Sequence, residues 1–364
     1  MSAGHSNQEL TVAVVGATGL VGQTMIRLLS ERRFPVGDLR LMASGRSAGR
    51  EVSFGEQRTT VVEAVPDAFH GVHLAFFSAG AEIAQELAPE AARRGALVID
   101  NSAAWRMEHG VPLVVPEVNG EDAGTHEGII ANPNCSTMQL VPLLMALRDS
   151  VGIERVVVDT YQSVAGTGSE AIAELEGQIQ AHARGVAPSA KVYPHPIAFN
   201  ALPEIDVFLD DGYSREEWKV IHESRKILHL PELRLSCTAV RVPVFVGHSE
   251  AVHVETSRPI EPDEARRSFA EVPGVVVIDD PAAHRYPLAT NAAGSDDIFV
   301  GRVRQDLSVP DGRGIAFWCV SDNLRKGAAT NAIQIAELAV ARNWLEPASR
   351  RAATPGSSGV DAAA

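Results

Sequence analysis

In the first third of the chain, short strand-like apolar runs alternate with stretches in which apolar residues recur at helical spacing. A short apolar run at residues 11–15 is followed by a glycine-containing turn, and Met25, Ile26, Leu28 and Leu29 then recur at helical spacing. This order predicts a strand, a turn and a helix. Further strand-like runs lie at residues 39–43, 73–78, 96–99 and 128–131, with helix-length stretches such as 82–94 between them. Such alternation predicts an α/β fold with a parallel, doubly wound sheet.

The pattern changes after about residue 135. A helix is predicted over residues 136–147, a strand over 155–162, and a long helix around Ile172, Leu175 and Ile179. Because strands and helices no longer alternate regularly, we expect a second domain of the α+β class.

These patterns divide the chain into four parts. We predict a Rossmann-like domain over residues 10–134 and a second domain over 135–325. An Ala- and Ile-rich amphipathic helix over 326–345 is expected to pack back on the first domain. Residues 346–364 carry mainly Ala, Ser, Gly, Pro and Arg, and we predict a disordered tail there.

Length and charge narrow the class of protein. A chain of 364 residues exceeds what one hydrophobic core usually fills, so about two domains are expected. A content of 21% charged residues is typical of a globular protein. The formal net charge of -14 repels phosphate backbones and anionic lipids, so we expect no nucleic-acid partner. The polar start of the chain lacks a signal-peptide pattern, and no apolar run is long enough for a membrane span. We therefore expect a cytoplasmic protein.

The three cysteines predict a nucleophile rather than a disulfide framework. Cys135, Cys237 and Cys319 show no CxxC spacing, so neither a disulfide nor a metal site is expected. Cys237 and Cys319 lie in strand-like segments and are expected to be core residues. Cys135 lies between a predicted strand and a predicted helix, where the helix dipole and free amides should lower its pKa.

A glycine run near the N-terminus predicts a nucleotide-binding loop. Gly16, Gly19 and Gly22 lie between the first strand and the first helix, where backbone amides can bind phosphate. The second strand runs into Arg46 and Ser47 without the carboxylate that usually holds the ribose of NAD. NADP is therefore favoured over NAD, although a solvated Arg46 without a ligand is the alternative.

Several motifs together resemble aspartate-semialdehyde dehydrogenase over roughly residues 10–345. They are the glycine run, residues 132–137 (NPNCST), residues 241–248 (RVPVFVGH) and residues 322–327 (DNLRKG). The resemblance implies reduction of aspartyl phosphate to aspartate semialdehyde by NADPH, in the pathway to lysine, threonine and methionine. It also implies that Cys135 forms a thioester, which divides one difficult transfer into two easier steps.

The family resemblance also assigns the remaining catalytic and substrate residues. It makes His248 the acid/base group, which suits a side chain that titrates near neutral pH. In an uninterrupted strand Arg241 and His248 would face opposite sides, so we expect Gly247 to break the alternation. The residues implied in substrate binding are Arg241 for the carboxylate, Glu216 for the amino group, Gln162 for orientation, and Arg106, Lys219 and Asn134 for the phosphate.

The spacing of residues 214–219 gives further expectations for Glu216, Glu217 and Lys219. Ser214 and Glu217 fit a capping box, so Glu217 is expected to be structural. Glu216 and Lys219, three residues apart, share a helix face, and an ordinary surface ion pair is the alternative to a substrate site.

The resemblance extends to the cofactor contacts, with one departure. The expected contacts are Gly16, Thr18, Gly19, Leu20, Val21, Arg46, Ser47, Ala165, Gly166 and Asn323. Ala165 stands where the family has serine, so a hydroxyl contact is lost there and only a backbone role is expected.

Other classes of protein stay open at this point. N-acetyl-glutamyl-phosphate reductase shares the chemistry, but its cysteine motif differs and its substrate has no free ammonium. A short-chain dehydrogenase is disfavoured because no Tyr-x-x-x-Lys occurs. A catalytically silent regulatory module on the same fold is also conceivable. The family further implies a homodimer or a dimer of dimers, formed through the second domain.

Overall fold

The computed structural model describes residues 9–353. Its strands are β1 (Leu10–Val15), β2 (Val36–Ala43), β3 (Glu51–Phe54), β4 (Gln57–Thr60), β5 (Val62–Glu63), β6 (Leu74–Phe77), β7 (Leu97–Asp100), β8 (Ile129–Ala131), β9 (Ile153–Gln162), β10 (Arg234–Arg241), β11 (His248–Thr256), β12 (Val275–Val277), β13 (Ile298–Gln305) and β14 (Gly314–Ser321). Its α-helices are α1 (Leu20–Glu31), α2 (Ala81–Arg93), α3 (Pro116–Asn119), α4 (Cys135–Val151), α5 (Ser169–Ala183), α6 (Arg215–Ile227), α7 (Pro262–Ala270), α8 (Ala289–Ala292), α9 (Asn331–Ala341) and α10 (Ala348–Ala353).

The first sheet is parallel, with strand order β5-β2-β1-β6-β7-β8. Because β1 pairs with β2 on one side and β6 on the other, the strand order reverses there and opens a crevice at the carboxyl ends. Gly16 begins the loop at this point and has a positive φ of 87°. The sheet is thus of the predicted doubly wound type.

The second sheet is mixed, with strand order β10-β9-β11-β14-β13-β12. Helices α4 and α7 pack on one face over a core that includes Val158, Val252 and Phe317. The alternate residues of the same strands include Tyr161, which is 37% exposed, and Trp318, which is partly exposed. One face of this sheet is therefore buried within the chain and the other is open.

Helix α9 joins the core of the first sheet. Ala332, Ile333 and Ala336 of α9 lie in one buried cluster with Leu28 of α1 and Ile99 of β7. A π-helical turn over Arg325–Thr330 leads into this helix. Together with the two sheets, this packing confirms the predicted fold class.

The predicted disordered tail is wrong for its first part. Ala348–Ala353 form a short helix. Ser349 donates its hydroxyl and backbone hydrogen bonds to Glu127, and Arg351 donates to the carbonyl oxygen of Gly124. These tertiary contacts fix a segment whose composition alone has little to bury. The rest of the predicted tail, residues 354–364, lies outside the described residues, as do residues 1–8.

Candidate active site

A cavity of about 430 Å³ lies between the carboxyl ends of the first sheet and one end of the second. Val21 of α1, Ser78 after β6 and Asn101 after β7 face Gln162 of β9 and Arg241 of β10 across it. Its other lining residues include Arg106, Asn134, Cys135, Ala165, Gly166, Asp206, Glu216, Lys219, Asn323 and Gly327. The structure therefore brings most of the sequence-predicted site residues into one cavity.

Cys135 is the first residue of α4 and is partly exposed to this cavity. The side chain of Asn134 caps the helix by accepting hydrogen bonds from the backbone N–H groups of Ser136 and Thr137. A Cβ built on Gly327 would lie 3.0 Å from Cys135 Cβ, so a larger residue there would press on the nucleophile. Capping and close packing together hold the thiol at the helix terminus.

The expected low pKa of Cys135 is wrong for the free site. Burial of the thiol and the nearby Glu216 carboxylate raise its pKa to about 12, although Arg241 and Arg106 act in the opposite direction. A helix N-terminus stabilises thiolate only in part, and here desolvation outweighs it. The thiol is therefore protonated in the free site, and its proton must leave during attack on a substrate.

His248 is the first residue of β11 and is fully buried. Its Nδ1 accepts a 3.0 Å hydrogen bond from the backbone N–H of Ser163, while Nε2 has no partner among residues 9–353. Burial and the Arg241 guanidinium lower its pKa to about 3, so the ring is neutral. Because Nδ1 accepts, the proton of the neutral ring lies on Nε2.

A break between Arg241 and His248 is present as expected, but it spans residues 242–247 and is not made by Gly247 alone. The two residues lie on different strands, β10 and β11, and Gly247 before β11 has a φ of +96°. A Cβ built on Gly166 would lie 3.1 Å from Arg241 Nη1 and 3.2 Å from His248 Nε2. Both side chains therefore face the same small space, which is open because residue 166 is glycine.

Glu216 belongs to the cavity wall and not to the protein surface. It is 6% exposed, and its Oε1 accepts from Asn134 Nδ2 at 2.8 Å and from Gln162 Nε2 at 3.1 Å. Burial alone would raise the pKa of this carboxyl. Lys219 and the hydrogen bonds outweigh burial and bring the pKa to about 2. A charged carboxylate is thereby held beside the nucleophile.

Lys219 lies one helical turn from Glu216 and bridges two carboxylates. Its Nζ is 3.1 Å from Glu216 Oε2 and 2.8 Å from Asp206 Oδ2. Burial lowers the pKa of this ammonium, but Glu216 and Asp206 outweigh it and raise the pKa. The predicted capping box is also present, because Ser214 and Glu217 exchange hydrogen bonds at the start of α6. Glu216 and Lys219 therefore form an ion pair in the cavity wall, with Glu216 buried and Lys219 partly exposed.

Arg106 is held by groups that leave part of its guanidinium free for the cavity. It donates from Nη1 to Glu223 at 2.9 Å, from Nη2 to Asn101 O at 2.7 Å and from Nε to Asn132 O at 3.0 Å. Glu223 also accepts from the backbone N–H of Asn134 at 2.6 Å. One buried carboxylate thus connects Arg106 to the turn that carries the nucleophile.

The loop after β1 fits the phosphates of a dinucleotide. A Cβ on Gly16 would lie 2.3 Å from Ser78 O, and a Cβ on Gly22 would lie 2.2 Å from Gly16 O. Only glycine allows this tight path. No side chain caps the N-terminus of α1 after Gly19, so the backbone amides of Leu20 and Val21 begin the helix facing the crevice.

The end of β2 carries both signs of charge. Arg46 is exposed and Ser47 is partly exposed. A Cβ on Gly45 would lie 2.9 Å from Glu63 Oε1, so the neighbouring strand β5 brings a carboxylate beside this loop. The sequence shows no carboxylate after β2 itself, and this one is contributed by tertiary structure.

Asn323 and Ser163 connect the two halves of the site. Asn323 Oδ1 accepts from Ser163 Oγ at 3.0 Å and from the Gly247 backbone N–H at 2.9 Å. Ser163 O accepts from Arg241 Nη1 at 2.7 Å. Ala165 is buried and donates its backbone N–H to Phe245 O. Asn323 therefore orders the turn before His248, in addition to lining the cavity.

Sequence reasoning missed four residues that shape this site: Glu223, Asp206, Ser163 and Glu63. Glu223 is the one with a usable signal, because it lies seven residues after Glu216 and so returns to the same face of α6. The other three reach the site from separate loops and strands, which a linear pattern does not reveal.

The fold and this site together define the class of protein. Two protein-family models match the chain: "Semialdehyde dehydrogenase, NAD binding domain" over residues 11–126 and "Semialdehyde dehydrogenase, dimerisation domain" over residues 144–326. The class is therefore that of the semialdehyde dehydrogenases, which are oxidoreductases.

Individual relatives narrow the class to one family. Aspartate-semialdehyde dehydrogenase of Aquifex aeolicus is 51% identical over 333 residues, covering 90% of this chain and 97% of the relative. The crystal structure of aspartate semialdehyde dehydrogenase II from Vibrio cholerae, complexed with ASA, has a TM-score of 0.89 and 45% identity over 92% of this chain and 99% of that one. A Candida albicans aspartate semialdehyde dehydrogenase structure with NADP has a TM-score of 0.73 and 26% identity, covering 92% and 99%. The chain belongs to the aspartate-semialdehyde dehydrogenase family.

Two features are absent from the described residues. Residues 9–353 contain no group of three or more His, Cys, Asp or Glu side chains placed to hold a metal ion. Within the same range, no helix combines the length and apolar character that a membrane crossing needs.

Proposed function

We propose that this chain reduces L-aspartyl-4-phosphate to L-aspartate 4-semialdehyde, with NADPH as hydride donor, in lysine, threonine and methionine biosynthesis. One observation carries the proposal. The cavity places the thiol of Cys135 beside the Glu216 carboxylate and near the cations Arg241, Arg106 and Lys219. A substrate with an ammonium, a carboxylate and a phosphate needs both signs of charge in one small space.

Different residues of the cavity bind the carboxylate, the ammonium and the phosphate of the substrate. Arg241 has a buried Nε without a partner among residues 9–353, and this group is available to a substrate carboxylate. Glu216 takes the ammonium, and Gln162 and Asn134 orient the substrate through their contacts with Glu216. Arg106, Lys219 and Asn134 hold the phosphate.

The thiol of Cys135 attacks the acyl carbon, and the new C–S bond forms as the C–O bond to phosphate breaks. Because the pKa of this thiol is about 12, its proton leaves with the phosphate group. NADPH, when bound, supplies the hydride that reduces the resulting thioester. His248 acts here as a neutral hydrogen-bond donor, not as the acid/base group that the family resemblance implies: its Nδ1 is already bound to Ser163 N–H, and its Nε2–H stabilises the substrate oxygen as that oxygen gains charge. When the aldehyde departs, the thiolate takes up a proton and Cys135 is restored.

Arg46 and Ser47 favour NADP at the nucleotide loop, against the opposing charge of Glu63. Gly16, Thr18, Gly19, Leu20 and Val21 surround the pyrophosphate in this proposal, because the uncapped N-terminus of α1 offers free amides. The 2'-phosphate is held by Arg46 and Ser47. The nicotinamide end is met by Ala165, Gly166 and Asn323.

The charged state of Glu216 favours this substrate over N-acetyl-glutamyl phosphate. A carboxylate with a pKa of about 2 attracts a free ammonium but leaves an acetylated nitrogen without a suitable partner. Initial rates of NADPH formation with phosphate and each of the two aldehydes test this choice. We expect activity with aspartate semialdehyde alone, and comparable rates with N-acetyl-glutamate semialdehyde would contradict the proposal.

We also propose a cytoplasmic homodimer or dimer of dimers in which the open face of the second sheet is the subunit contact. The rings of Tyr161 and Trp318 lie 5.3 Å apart on this face, and exposed aromatic groups on a sheet are suited to association. The NADP-binding domain then spans residues 10–134, the catalytic and dimerisation domain 135–325, and the returning helix 326–345. Light scattering of Trp318→Glu tests the contact. A mass equal to that of the wild type would contradict it.

A further inference from the structure

A row of buried polar side chains, here named the polar row, lies beneath the catalytic groups of the second sheet. Glu250 of β11 pairs with Thr160 of β9 and Cys319 of β14, so these three side chains share one face. All three are fully buried on the face that α4 covers. Two residues away from Thr160 on β9 and from Glu250 on β11, Gln162 and His248 lie on the same face of the sheet. The polar row therefore separates the catalytic groups from the apolar core.

Several atoms in and around the polar row have no hydrogen-bond partner. Within residues 9–353, they are Thr160 Oγ1, Glu250 Oε1, Ser321 Oγ and both amide atoms of Gln139. A buried polar atom without a partner suffers the full desolvation penalty, so such atoms are rare in native structures. These atoms lie close together beneath α4, the helix that begins at Cys135.

Glu250 is the titratable carboxyl at the centre of this cluster. The groups facing it are Gln139 and Ser136 from α4, Thr160 from β9 and Cys319 from β14, whose Sγ is 3.6 Å from Glu250 Oε2. None of these groups is a cation. An isolated carboxylate in such surroundings is very unfavourable, whereas a protonated carboxyl offers one donor and one acceptor. The amide of Gln139 has the complementary acceptor and donor.

Ser136 connects this carboxyl to the catalytic groups. Its hydroxyl oxygen accepts a 2.9 Å hydrogen bond from Gln162 Nε2, and Gln162 also donates to Glu216 at 3.1 Å. Ser136 follows Cys135 directly in the first turn of α4. A change at Glu250 therefore reaches both the nucleophile turn and the residue that orients the substrate.

We propose that Glu250 is a positioning residue that acts as an uncharged carboxylic acid beneath Ser136 and Gln139 of α4, where it allows Gln162 and Cys135 to keep their places. Loss of its proton puts a negative charge under the first turn of α4 and disturbs this arrangement. Activity then falls at alkaline pH because of Glu250, and not because of a group that touches the substrate. The kinetic part of this inference rests on the proposed function.

Four neighbouring titratable groups, Cys135, His248, Glu216 and Cys319, have pKa values far from the range between pH 7 and 9. Burial raises the pKa of Glu250 to about 8. The pKa of Cys135 is about 12, that of His248 about 3 and that of Glu216 about 2. Burial also raises the pKa of Cys319 well above its ordinary value. Glu250 is the member of this set that changes charge between pH 7 and 9.

The test compares Glu250→Gln, Glu250→Ala and wild type in the direction that uses the aldehyde, NADP and phosphate. Glutamine resembles the protonated acid in shape and cannot ionise. We expect Glu250→Gln to keep kcat within about threefold of wild type at pH 7, while Glu250→Ala loses about tenfold or more. Between pH 7 and 9, kcat of the wild type should fall about tenfold while that of Glu250→Gln stays level.

A matched control removes another carboxyl from the same strand. Glu255 of β11 forms ion pairs with Arg313 and Arg234 outside the polar row. Glu255→Gln should keep the alkaline fall of the wild type. The proposal is overturned if Glu250→Gln retains that fall, if the wild type shows none, or if Glu250→Gln is as inactive as Glu250→Ala at pH 7.

An infrared measurement separates this proposal from the proposed function, because it needs no turnover. The wild type at pH 7 should show the C=O stretch of a protonated carboxyl, which disappears by pH 9 and is absent from Glu250→Gln. The thermal midpoints of all variants show whether they fold. Lack of activity in the wild type with a protonated Glu250 contradicts only the function. Identical carboxyl spectra for wild type and Glu250→Gln contradict the inference about Glu250.

Discussion

The nucleotide loop and the catalytic cavity are built in different ways. The loop uses the backbone of one continuous segment, in which Gly16 and Gly22 allow an approach that any side chain would block. The cavity uses side chains from β9, β10, β11, α4 and α6, which lie far apart in the sequence. A backbone site is therefore specified locally, whereas a side-chain site depends on the whole second sheet.

The two regions also differ in the source of their electrostatic potential. At the loop, the uncapped N-terminus of α1 is a fixed partial charge that substitutions of single side chains do not remove. In the cavity, the pKa of each group depends on its neighbours, as the opposing effects of Glu216 and Arg241 on Cys135 illustrate. Single substitutions should thus affect the cavity more strongly than the loop.

The largest effect is expected for Cys135→Ala. Turnover should fall by at least about 10³-fold, because no other residue offers a thiol to the cavity and the covalent route is lost. NADP binding should stay within about twofold of wild type, because the loop does not depend on this side chain. Initial rates and a cofactor titration measure the two effects.

Cys237→Ala is the matched control, since Cys237 lies in the apolar core on β10. It should retain turnover and alkylation of Cys135 by a thiol reagent. If Cys135→Ala keeps a tenth of the wild-type rate, the covalent mechanism is wrong.

A smaller effect separates the two ends of the substrate. Arg241→Leu should lower kcat/KM for the aldehyde and for aspartyl phosphate alike by roughly 10²-fold, since a bidentate charged contact is lost from both complexes. Lys219→Ala should instead raise the KM for phosphate by about tenfold, with less effect on the KM for the aldehyde. Initial rates at fixed ionic strength against each substrate distinguish the two variants. An unchanged KM for phosphate in Lys219→Ala, with a raised one in Arg241→Leu, would mean that the two ends are reversed.

The effect expected at the nucleotide loop is on cofactor binding and not on turnover. Arg46→Ala should weaken NADP binding by about 1.5–3 kcal/mol and NAD binding much less, because only NADP carries the 2'-phosphate. Glu63→Gln should act in the opposite sense and favour NADP, because the carboxylate beside Gly45 repels a phosphate. Dissociation constants for both cofactors measure these changes. Equal losses for NAD and NADP in Arg46→Ala would show that Arg46 does not contact the 2'-phosphate.

The two regions also differ in how far the sequence predicts them. The glycine turn, its strand and its helix were predictable because their signals lie within neighbouring residues. The position of Cys135 at a helix terminus was predictable for the same reason. Its pKa was not, because burial and Glu216 come from tertiary structure and outweigh the local helix dipole.

No local sequence pattern predicts which distant side chains come together in the site. Arg241 and His248 share one space only because β9 lies between β10 and β11 in the sheet. The bridge from Glu223 to Arg106 joins residues 117 positions apart. The resemblance to a family supplied Arg241 and His248 as site residues, but it gave no information on Glu223 or Glu250.

The central claim is that Cys135 carries the acyl group, and a burst experiment tests it most directly. Wild-type enzyme is mixed rapidly with aspartate semialdehyde and NADP without phosphate, and NADPH formation is followed before the steady state. The account predicts one NADPH per site in the burst, an aspartyl group on the peptide that contains Cys135, and its release when phosphate is added. Absence of a burst in enzyme that turns over normally with phosphate, or an aspartyl group on a different residue, would contradict the claim.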